Sequence, residues 1–488
     1  MDYKWTVLTV TTVGVLMSGI DSRIVVIGLP VVASALHADA EQAIWFTQSY
    51  TIGSTIALLF IGRVSDMFGR VKIYAVGFAV FTAGSLLTSV SVSPDLFIFF
   101  RVLQGLGSAA LFANSAAIIT DAFPSGELGL ALGTNQVAFR VGAMFGLTIS
   151  GLILSILDWR FLFYINIPVG IFGTLWARRQ LRELGQTERS APMDWPGFFS
   201  FTTFITTLLL ALTYAAYGIG EESVVVALLV VSFVSLAAFV AVERRTERPL
   251  LDLRLLGIRE FTGGVVTQLL NAIAFGAFIL LISLYLQLVE GLSPFQAGIA
   301  IVPFDLAFLL VGPLSGRLSD KFGVLPFTTA GLATVSISLY LFSTTGPSAP
   351  YSLLLVYLVI CGFGMGLFSS PNMSSVMGSV PGPRRGVASG LRATFFNVGL
   401  TLSFNVVILV MTFFLPYSLI TSIISSTNIS SIASSARVLF ADGLDKAYLV
   451  LAVVNTVAII PSLLRGRRVA LKPAGNSNTG QLGSETTD

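Results

Sequence analysis

Charged residues are scarce in this chain. Of its 488 residues only 11% are Asp, Glu, Lys or Arg, while 54% are hydrophobic. An average soluble domain carries roughly 25% charged residues. Residues 261–289, 324–383 and 393–436 contain no charge at all. A soluble protein of this size would need charged surfaces at helical or strand intervals, so the composition excludes a soluble globular fold.

Cysteine and histidine are almost absent, since Cys361 and His37 are the single residues of their types. One cysteine excludes an intrachain disulfide, and the two residues are too few for a Cys/His metal site. We therefore expect no bound metal. The chain also lacks a glycine-rich phosphate loop followed by Lys-Ser/Thr, which argues against a built-in ATPase motor.

Long apolar runs replace the missing charge. A helix that crosses a bilayer needs about 20 mainly apolar residues. Runs of this kind, bounded by polar or turn residues, predict an all-α polytopic membrane protein with fourteen spans. The first run continues well beyond the 7–15 apolar residues of a signal peptide and contains Asp21 and Arg23, so it is interpreted as a retained span.

Basic residues lie on one side of the predicted spans. If the N-terminus is inside, 21 of the 28 Lys and Arg residues fall in connections on that side. Only Arg160, Arg437 and Lys446 fall in connections on the other side. Basic connections mark the cytoplasmic side. We expect both termini to be cytoplasmic, in a multi-pass protein of the plasma membrane.

The chain contains an internal repeat. GRVSDMFG at 62–69 recurs as GRLSDKFG at 316–323, and GLALGTNQVAFRVG at 129–142 is echoed by GVASGLRATFFNVG at 386–399. The near-constant offset indicates duplicated halves. The predicted domains are six-helix bundles at 1–180 and 261–468, two additional spans with cytoplasmic linkers at 181–260, and a disordered tail at 469–488.

Four motifs follow one another in the N-terminal half. They are GIDSRIVVIGLP from Gly19, GRVSDMFGRVK from Gly62, RVLQGLGSAAL from Arg101 and DWRFLFYINIPVG from Asp158. The second and third resemble signature motifs of the major facilitator superfamily, and the first and fourth resemble those of its fourteen-span drug/proton antiporters. The resemblance implies two six-helix bundles, plus two extra spans, that expose a midplane site alternately to each side of the membrane.

The repeated loop has two interpretations. Gly62 and Gly69 would allow tight turns, Asp66 would cap the next helix, and Arg70 would pair with an acid of another helix. In the resembling family such a loop would be a conformational latch, with Asp320 in its weaker second copy. The alternative is a plain surface turn whose charges serve topology.

Ionisable residues within spans are costly and therefore candidates for function. Asp21 lies in the middle of the first span, and the resemblance associates this acid and Arg101 with proton coupling. Burial favours the neutral form of a carboxyl group, which would let it load and release a proton. The alternative for Asp21 is a structural acid that accepts hydrogen bonds between helices.

Further polar side chains share helix faces and are candidates for lining a substrate cavity. Arg101, Gln104 and Ser108 recur on one face of the fourth span, which we expect to face a central cavity. The remaining cavity candidates are Arg23 in the first span, Gln136 and Arg140 in the fifth, and Gln268, Asn271 and Tyr285 in the ninth, which is predicted at residues 261–289. Aromatic residues at this spacing on the ninth span are more often packing residues than ligand contacts.

Two features depart from the resembling group. Arg23 and Val26 stand where it usually has Thr and Asn. Arg23 lies roughly 200° around the helix from Asp21, so it needs another partner. Asp305, itself a coupling candidate, is the obvious unpaired acid. In the fifth span Leu147 and Ser150 replace the proline and one glycine that are associated with antiport.

Three functions remain open at this point. The first is proton-coupled export of amphipathic or cationic drug-like compounds. The second is transport of organic anions or amphipathic lipids without proton antiport, because arginines outnumber acids within the spans. The third, a membrane enzyme or receptor, lacks clustered catalytic residues, so we do not expect an enzyme. The expected partners are a small-molecule substrate and the lipid bilayer, with no nucleic acid, no cofactor and a monomeric state.

Overall fold

A computed structural model describes residues 2–124, 127–184, 194–217, 221–246, 249–251, 253–346, 349–380, 385–416 and 434–465. Within these ranges the regular structure is entirely helical. The predicted tail at 469–488 lies outside the described residues, as does most of residues 416–442, which the sequence predicts to be an extracellular connection between the last two spans.

Seventeen α-helices are described in these ranges, and several are separated only by short breaks within one span. The first nine are α1 (Tyr3–Ala35), α2 (Ala40–Phe68), α3 (Arg70–Ser89), α4 (Pro94–Ala122), α5 (Leu128–Ile156), α6 (Phe161–Tyr164), α7 (Asn166–Gln180), α8 (Trp195–Tyr217) and α9 (Glu222–Arg245). The others are α10 (Arg259–Phe275), α11 (Phe278–Leu284), α12 (Pro294–Phe322), α13 (Val324–Phe342), α14 (Tyr351–Gly378), α15 (Arg385–Phe414), α16 (Ser434–Val457) and α17 (Ile459–Leu464). A π-helical turn at Tyr285–Val289 extends α11.

Thirteen helical segments in the described residues are long and apolar enough to cross a membrane. Helix α2 has 29 residues but is not among these thirteen segments. The fold class is therefore the predicted all-α membrane protein, whereas the predicted count of fourteen spans is not confirmed.

The repeat in the sequence reappears in the backbone. Asp39 and Gln42 form a reciprocal capping box at the start of α2, and Ser293 and Gln296 form the same box at the start of α12. Each pair satisfies two amide groups that the first helical turn leaves free. The helices also end alike, on Gly69 with φ +105° and Gly323 with φ +90°. These positive φ angles favour glycine, which explains why both copies of the motif end on it.

Apolar cores join the two halves at one end of the molecule. At this end, residues 24–36 of α1 pack in one cluster with α11, α15 and α16. At the other end, which carries Lys4, Arg70 and Arg179 and is called the basic end below, the described residues form separate cores. One core lies within α1, α3, α4 and α5, and another lies among α8, α10, α14 and α15. Among the described residues, the largest apolar core thus joins the halves away from the basic end.

Helices α8 and α9 form a hairpin at the side of the two halves. Helix α8 packs against α15 and α2, and its Ile205 and Leu209 are buried. Helix α9 is largely uncovered, with Val226, Phe233 and Val234 exposed. A helix that is apolar on all sides yet exposed is explained by contact with lipid.

Candidate functional site

Buried polar side chains of the N-terminal half meet around Asp21 of α1. Its Oδ2 accepts a hydrogen bond from Arg101 Nη1 at 2.6 Å. Its Oδ1 accepts from Gln104 Nε2 at 2.7 Å and from Asn166 Nδ2 at 2.9 Å. Ser85 Oγ accepts further bonds from Gln104 and Asn166. Helices α1, α3, α4 and α7 therefore build one network around a charge pair that is almost fully shielded from water.

The guanidinium group of Arg101 is held on several sides. Its Nη1 donates to Gln104 Oε1 at 2.7 Å, which is possible because the two residues lie three positions apart on α4. Its Nε donates to the Phe46 carbonyl at 3.3 Å, and the group lies 4.6 Å from the centre of the Tyr50 ring. Tyr50 in turn donates a hydrogen bond of 2.6 Å to Ser108.

The polar stripe on α4 therefore lies inside the N-terminal half. We expected Arg101, Gln104 and Ser108 to face a central cavity, but they are 1%, 0% and 5% exposed. Small residues explain the difference. Gly105 and Gly107 of α4 touch the backbones of α2 and α3, so these helices approach closely enough to cover the stripe.

A second charge pair joins the two halves. Arg23 Nη1 on α1 donates to both carboxylate oxygens of Asp305 on α12 at 3.0 Å. The side chains are 13% and 6% exposed. The pairing expected from the sequence is present, and it is an ion pair between the N-terminal and C-terminal halves.

Arg140 of α5 lies beside this ion pair. Its guanidinium group is 3.9 Å from the centre of the Phe308 ring on α12, one turn along from Asp305. The side chain is only half-buried. Gln136, one turn closer to the basic end on the same face of α5, is exposed.

Three cavity candidates lie apart from Arg23, Asp305 and Arg140. They belong to the ninth predicted span, with Gln268 and Asn271 on α10 and Tyr285 directly after α11. Gln268 accepts a 3.4 Å hydrogen bond from Arg392 of α15. Asn271 is buried within the C-terminal half and donates to Asn455 at 2.8 Å. Tyr285 is 2% exposed and donates to the Gly346 carbonyl at 2.7 Å, so it ties the span to the connection that follows α13.

The repeated loop is a helix junction on the basic end. Gly69 is the junction residue, as expected, but Gly62 lies inside α2 and makes no turn. Asp66 also lies within α2 and not at the start of the next helix, and its side chain lies outside the described residues. Asp320 is exposed in the last turn of α12.

Arg70 pairs with an acid of another helix, as the motif predicts. Its Nη1 donates to both oxygens of Asp121 on α4, at 2.7 and 2.8 Å. The backbone amides of Arg70 and Val71 donate to the carboxylate of Glu183, at 2.8 and 3.0 Å. A carboxylate at this position stabilises the start of α3 through its free amides. All of these groups belong to the N-terminal part of the chain.

The fold, the repeat and this junction lead to one family. Residues 11–404 match the family model described as Major Facilitator Superfamily. The chain belongs to this superfamily.

Similar proteins of this family are named for different transported compounds. The chain is 33% identical over 405 residues to "Riboflavin transporter RibZ" of Clostridioides difficile (strain 630), covering 82% of the chain and 87% of that protein. It is 31% identical over 403 residues to "Multidrug resistance protein Stp" of Mycobacterium tuberculosis (strain CDC 1551 / Oshkosh), covering 82% and 74%. It is 27% identical over 396 residues to the "Tetracenomycin C resistance and export protein" of Streptomyces glaucescens, covering 81% and 73%.

Solved structures share the fold at low sequence identity. A bacterial homologue of the human lysosomal transporter Spinster superimposes with a TM-score of 0.67 at 16% identity, over 95% of this chain and 97% of that one. The xylose transporter XylE from E. coli gives a TM-score of 0.61 at 15% identity, over 94% and 97%. These likenesses show the fold, and the family match over residues 11–404 makes the molecule a membrane transporter of this superfamily.

Several residues of the transporter's polar networks were not found from the sequence. Asn166 lies within the motif that begins at Asp158, so its place in that motif was an available signal. Ser85 and Asn455 gave no signal, because isolated polar residues in apolar helices are common. Asp121 and Glu183 contact the loop motif only through folding, since they lie 51 and 113 residues from Arg70.

Proposed function

We propose that this chain is a proton-coupled transporter that exports amphipathic organic compounds by alternating access. The network around Asp21 carries this proposal. It combines the one carboxyl group of the first span, which can take up a proton reversibly, with an arginine, whose charge is permanent.

The chemistry of coupling follows from the contacts of Asp21. In the charged state its two oxygens accept hydrogen bonds from Arg101, Gln104 and Asn166. A proton on the carboxyl group removes the charge that faces Arg101 Nη1, so the guanidinium group must find another partner. Because the donors come from α4 and α7, protonation weakens the ties of α1 to these two helices and allows them to move.

In alternating access, the contact that closes the transporter on one side of the membrane must open while a contact on the other side closes. In this structure the common apolar core and the ion pair of Arg23 with Asp305 hold the halves together away from the basic end. If the basic end faces the cytoplasm, as the distribution of Lys and Arg suggests, this conformation is open inward. Opening outward would then require the Arg23–Asp305 pair to separate.

The names of the relatives support export of organic compounds. One is called a multidrug resistance protein and another a resistance and export protein. The relative named as a riboflavin transporter supports a planar, amphipathic substrate but not a direction.

Transport into vesicles with an imposed pH gradient tests the proposal. We would reconstitute the protein and compare uptake of a lipophilic cation, tetraphenylphosphonium, with uptake of an organic anion, pyrenebutyrate, with and without the gradient. Uptake of at least one probe should depend on the gradient. Asp21→Asn keeps the shape of the side chain but cannot cycle a proton, so it should abolish the dependence on the gradient.

The matched control is Asp158→Asn, because Asp158 is exposed in the connection between α5 and α6 and pairs only with Arg160 among the described residues. This variant should behave like the wild type. If Asp21→Asn still accumulates a probe in response to the pH gradient at the wild-type rate, proton coupling through Asp21 is wrong.

A further inference from the structure

Positive charge exceeds negative charge in the middle of the spans. Four arginines lie within predicted spans, namely Arg23, Arg101, Arg140 and Arg392. Arg101 pairs with Asp21 and Arg23 pairs with Asp305. Among the described residues Arg140 and Arg392 form no ion pair. Since a charge within a membrane is costly, it calls for a counter-ion.

Arg140 lies where the packing between α5 and α12 ends. Farther from the basic end the two helices touch closely, with Gly151 against Phe295 and Gly298 against Leu147. Toward the basic end Gln136 and Gly133 are exposed. From the close packing on one side and these exposed residues on the other, we infer a gap between α5 and α12 that widens toward the basic end, with the guanidinium group at its closed end.

The neighbours of Arg140 do not neutralise it. The nearest acid, Asp305, gives both of its oxygens to Arg23. The Phe308 ring attracts a cation, but such a contact is worth about 0.5–2 kcal/mol and gives no acceptor to the N–H groups, which have none among the described residues. The side chain is half-buried, so a molecule in the gap can reach it.

We propose that Arg140 binds an anionic group, a carboxylate or a phosphate, of an amphipathic compound that enters the gap between α5 and α12. The planar guanidinium group matches both oxyanions through paired hydrogen bonds. Gln136 lies one turn away and supplies an amide to the same ligand, and Phe308 offers an aromatic face to its apolar part. This inference rests on the proposed transport function and assigns the sign of charge of the substrate.

Three fluorescent probes that share one apolar body and differ in the charge of their polar group isolate the effect of charge on binding. The probes are pyrenebutyrate, pyrenebutanol and pyrenebutylamine, which carry an anionic, a neutral and a cationic group. Binding to the full-length protein in phosphatidylcholine nanodiscs would be measured by fluorescence anisotropy, with empty nanodiscs as the blank. We expect the carboxylate to bind about tenfold more tightly than the alcohol, and the amine to bind more weakly than both.

Variants of the protein show which arginine causes the preference for the carboxylate probe. Arg140→Gln should bind the carboxylate and the alcohol equally, whereas Arg140→Lys should keep part of the preference because it keeps the charge. Arg179→Gln is the matched control, because Arg179 is exposed in the last turn of α7. Equal binding of all three probes, tighter binding of the amine, or no binding by the wild type would each overturn the proposal. It would also be overturned if Arg392→Gln, and not Arg140→Gln, removed the preference.

Lipid head groups also carry anionic phosphates. A second experiment distinguishes a lipid from a free organic anion as the ligand of Arg140. In nanodiscs that contain phosphatidylglycerol, a lipid phosphate at Arg140 would compete with pyrenebutyrate and remove its tenfold advantage in the wild type. An unchanged preference would assign the site to a free organic anion. Transport that depends on Asp21 and on the pH gradient can persist with either result, so this inference can fail while the proposed function stands.

Discussion

Two acid–arginine pairs begin two positions apart on α1 and point in different directions. Asp21 bonds inward to α4 and α7, while Arg23 reaches α12 of the other half. Residues two positions apart lie roughly 200° around a helix, so one turn of α1 serves both contacts. A change in the protonation of Asp21 can therefore act on the same turn that holds the halves together.

The pair of Arg23 and Asp305 leads to a prediction about stability. Removing one partner leaves the other charge buried and unpaired, which costs about 3–5 kcal/mol. Arg23→Leu and Asp305→Leu should each lower the thermal stability of the purified protein. The double variant removes both charges of the pair and should recover most of the loss.

The two single variants and the double variant form a double-mutant cycle, measured by thermal unfolding in one detergent. Strong non-additivity is expected because the residues are in contact. Additive losses would mean that the ion pair contributes nothing to the seal between the halves.

Close backbone contacts hold the helices of each half in matching ways. Gly105 of α4 touches the Tyr50 carbonyl of α2, and Gly362 of α14 touches the Phe304 carbonyl of α12. Gly142 and Gly146 of α5 touch the backbone of α1 in the same manner. The small residues of the fifth-span motif thus provide close packing although its proline is missing.

Filling one of these contacts should separate two helices. A leucine side chain at position 105 would collide with the α2 backbone, which cannot move as a side chain can. Gly105→Leu should therefore destabilise the protein by about 1–3 kcal/mol, the usual cost of overpacking. Thermal unfolding and the elution profile in size-exclusion chromatography would measure the effect.

Gly133→Leu is the matched control, because no neighbouring atom lies within 4 Å of a Cβ built at that position. Both substitutions exchange the same residues within a helix, so effects of helix propensity cancel. Equal unfolding temperatures of the two variants would show that the α2–α4 contact is not tight.

The number of membrane crossings is decided by α2. If α2 crosses, the connection after α1 and the start of α3 face opposite sides. Cys361 is the only cysteine and is buried, so cysteines introduced elsewhere can be labelled with a membrane-impermeant maleimide over a low background. In intact cells we expect Ala35→Cys to react, and Lys72→Cys to react only after permeabilisation.

Two further positions fix the orientation. Asp158→Cys should react in intact cells and Arg179→Cys only after permeabilisation, since α6 and α7 separate them. Reaction of Ala35→Cys and Lys72→Cys under the same conditions would mean that α2 does not cross and that fourteen crossings is wrong. Reversed labelling of Asp158→Cys and Arg179→Cys would place the termini outside.

The sequence by itself determined the class, the repeat and the family resemblance, because these follow from local properties. Apolar runs, the scarcity of charge and the recurrence of GRVSDMFG near Gly323 need no tertiary information. The pairing of Arg23 with Asp305 was also within reach, since a charge in a span needs a partner and few acids were available.

The tertiary structure alone decided how the remaining side chains meet. Ser85 and Asn166 join Asp21 only because α3 and α7 pack beside α1. The α4 stripe is buried because Gly105 and Gly107 bring two helices over it. Among the residues that the structure describes, Arg140 is left without an acid because Asp305 is paired with Arg23. Each outcome depends on distances between helices, which the pattern of residues along one helix does not contain.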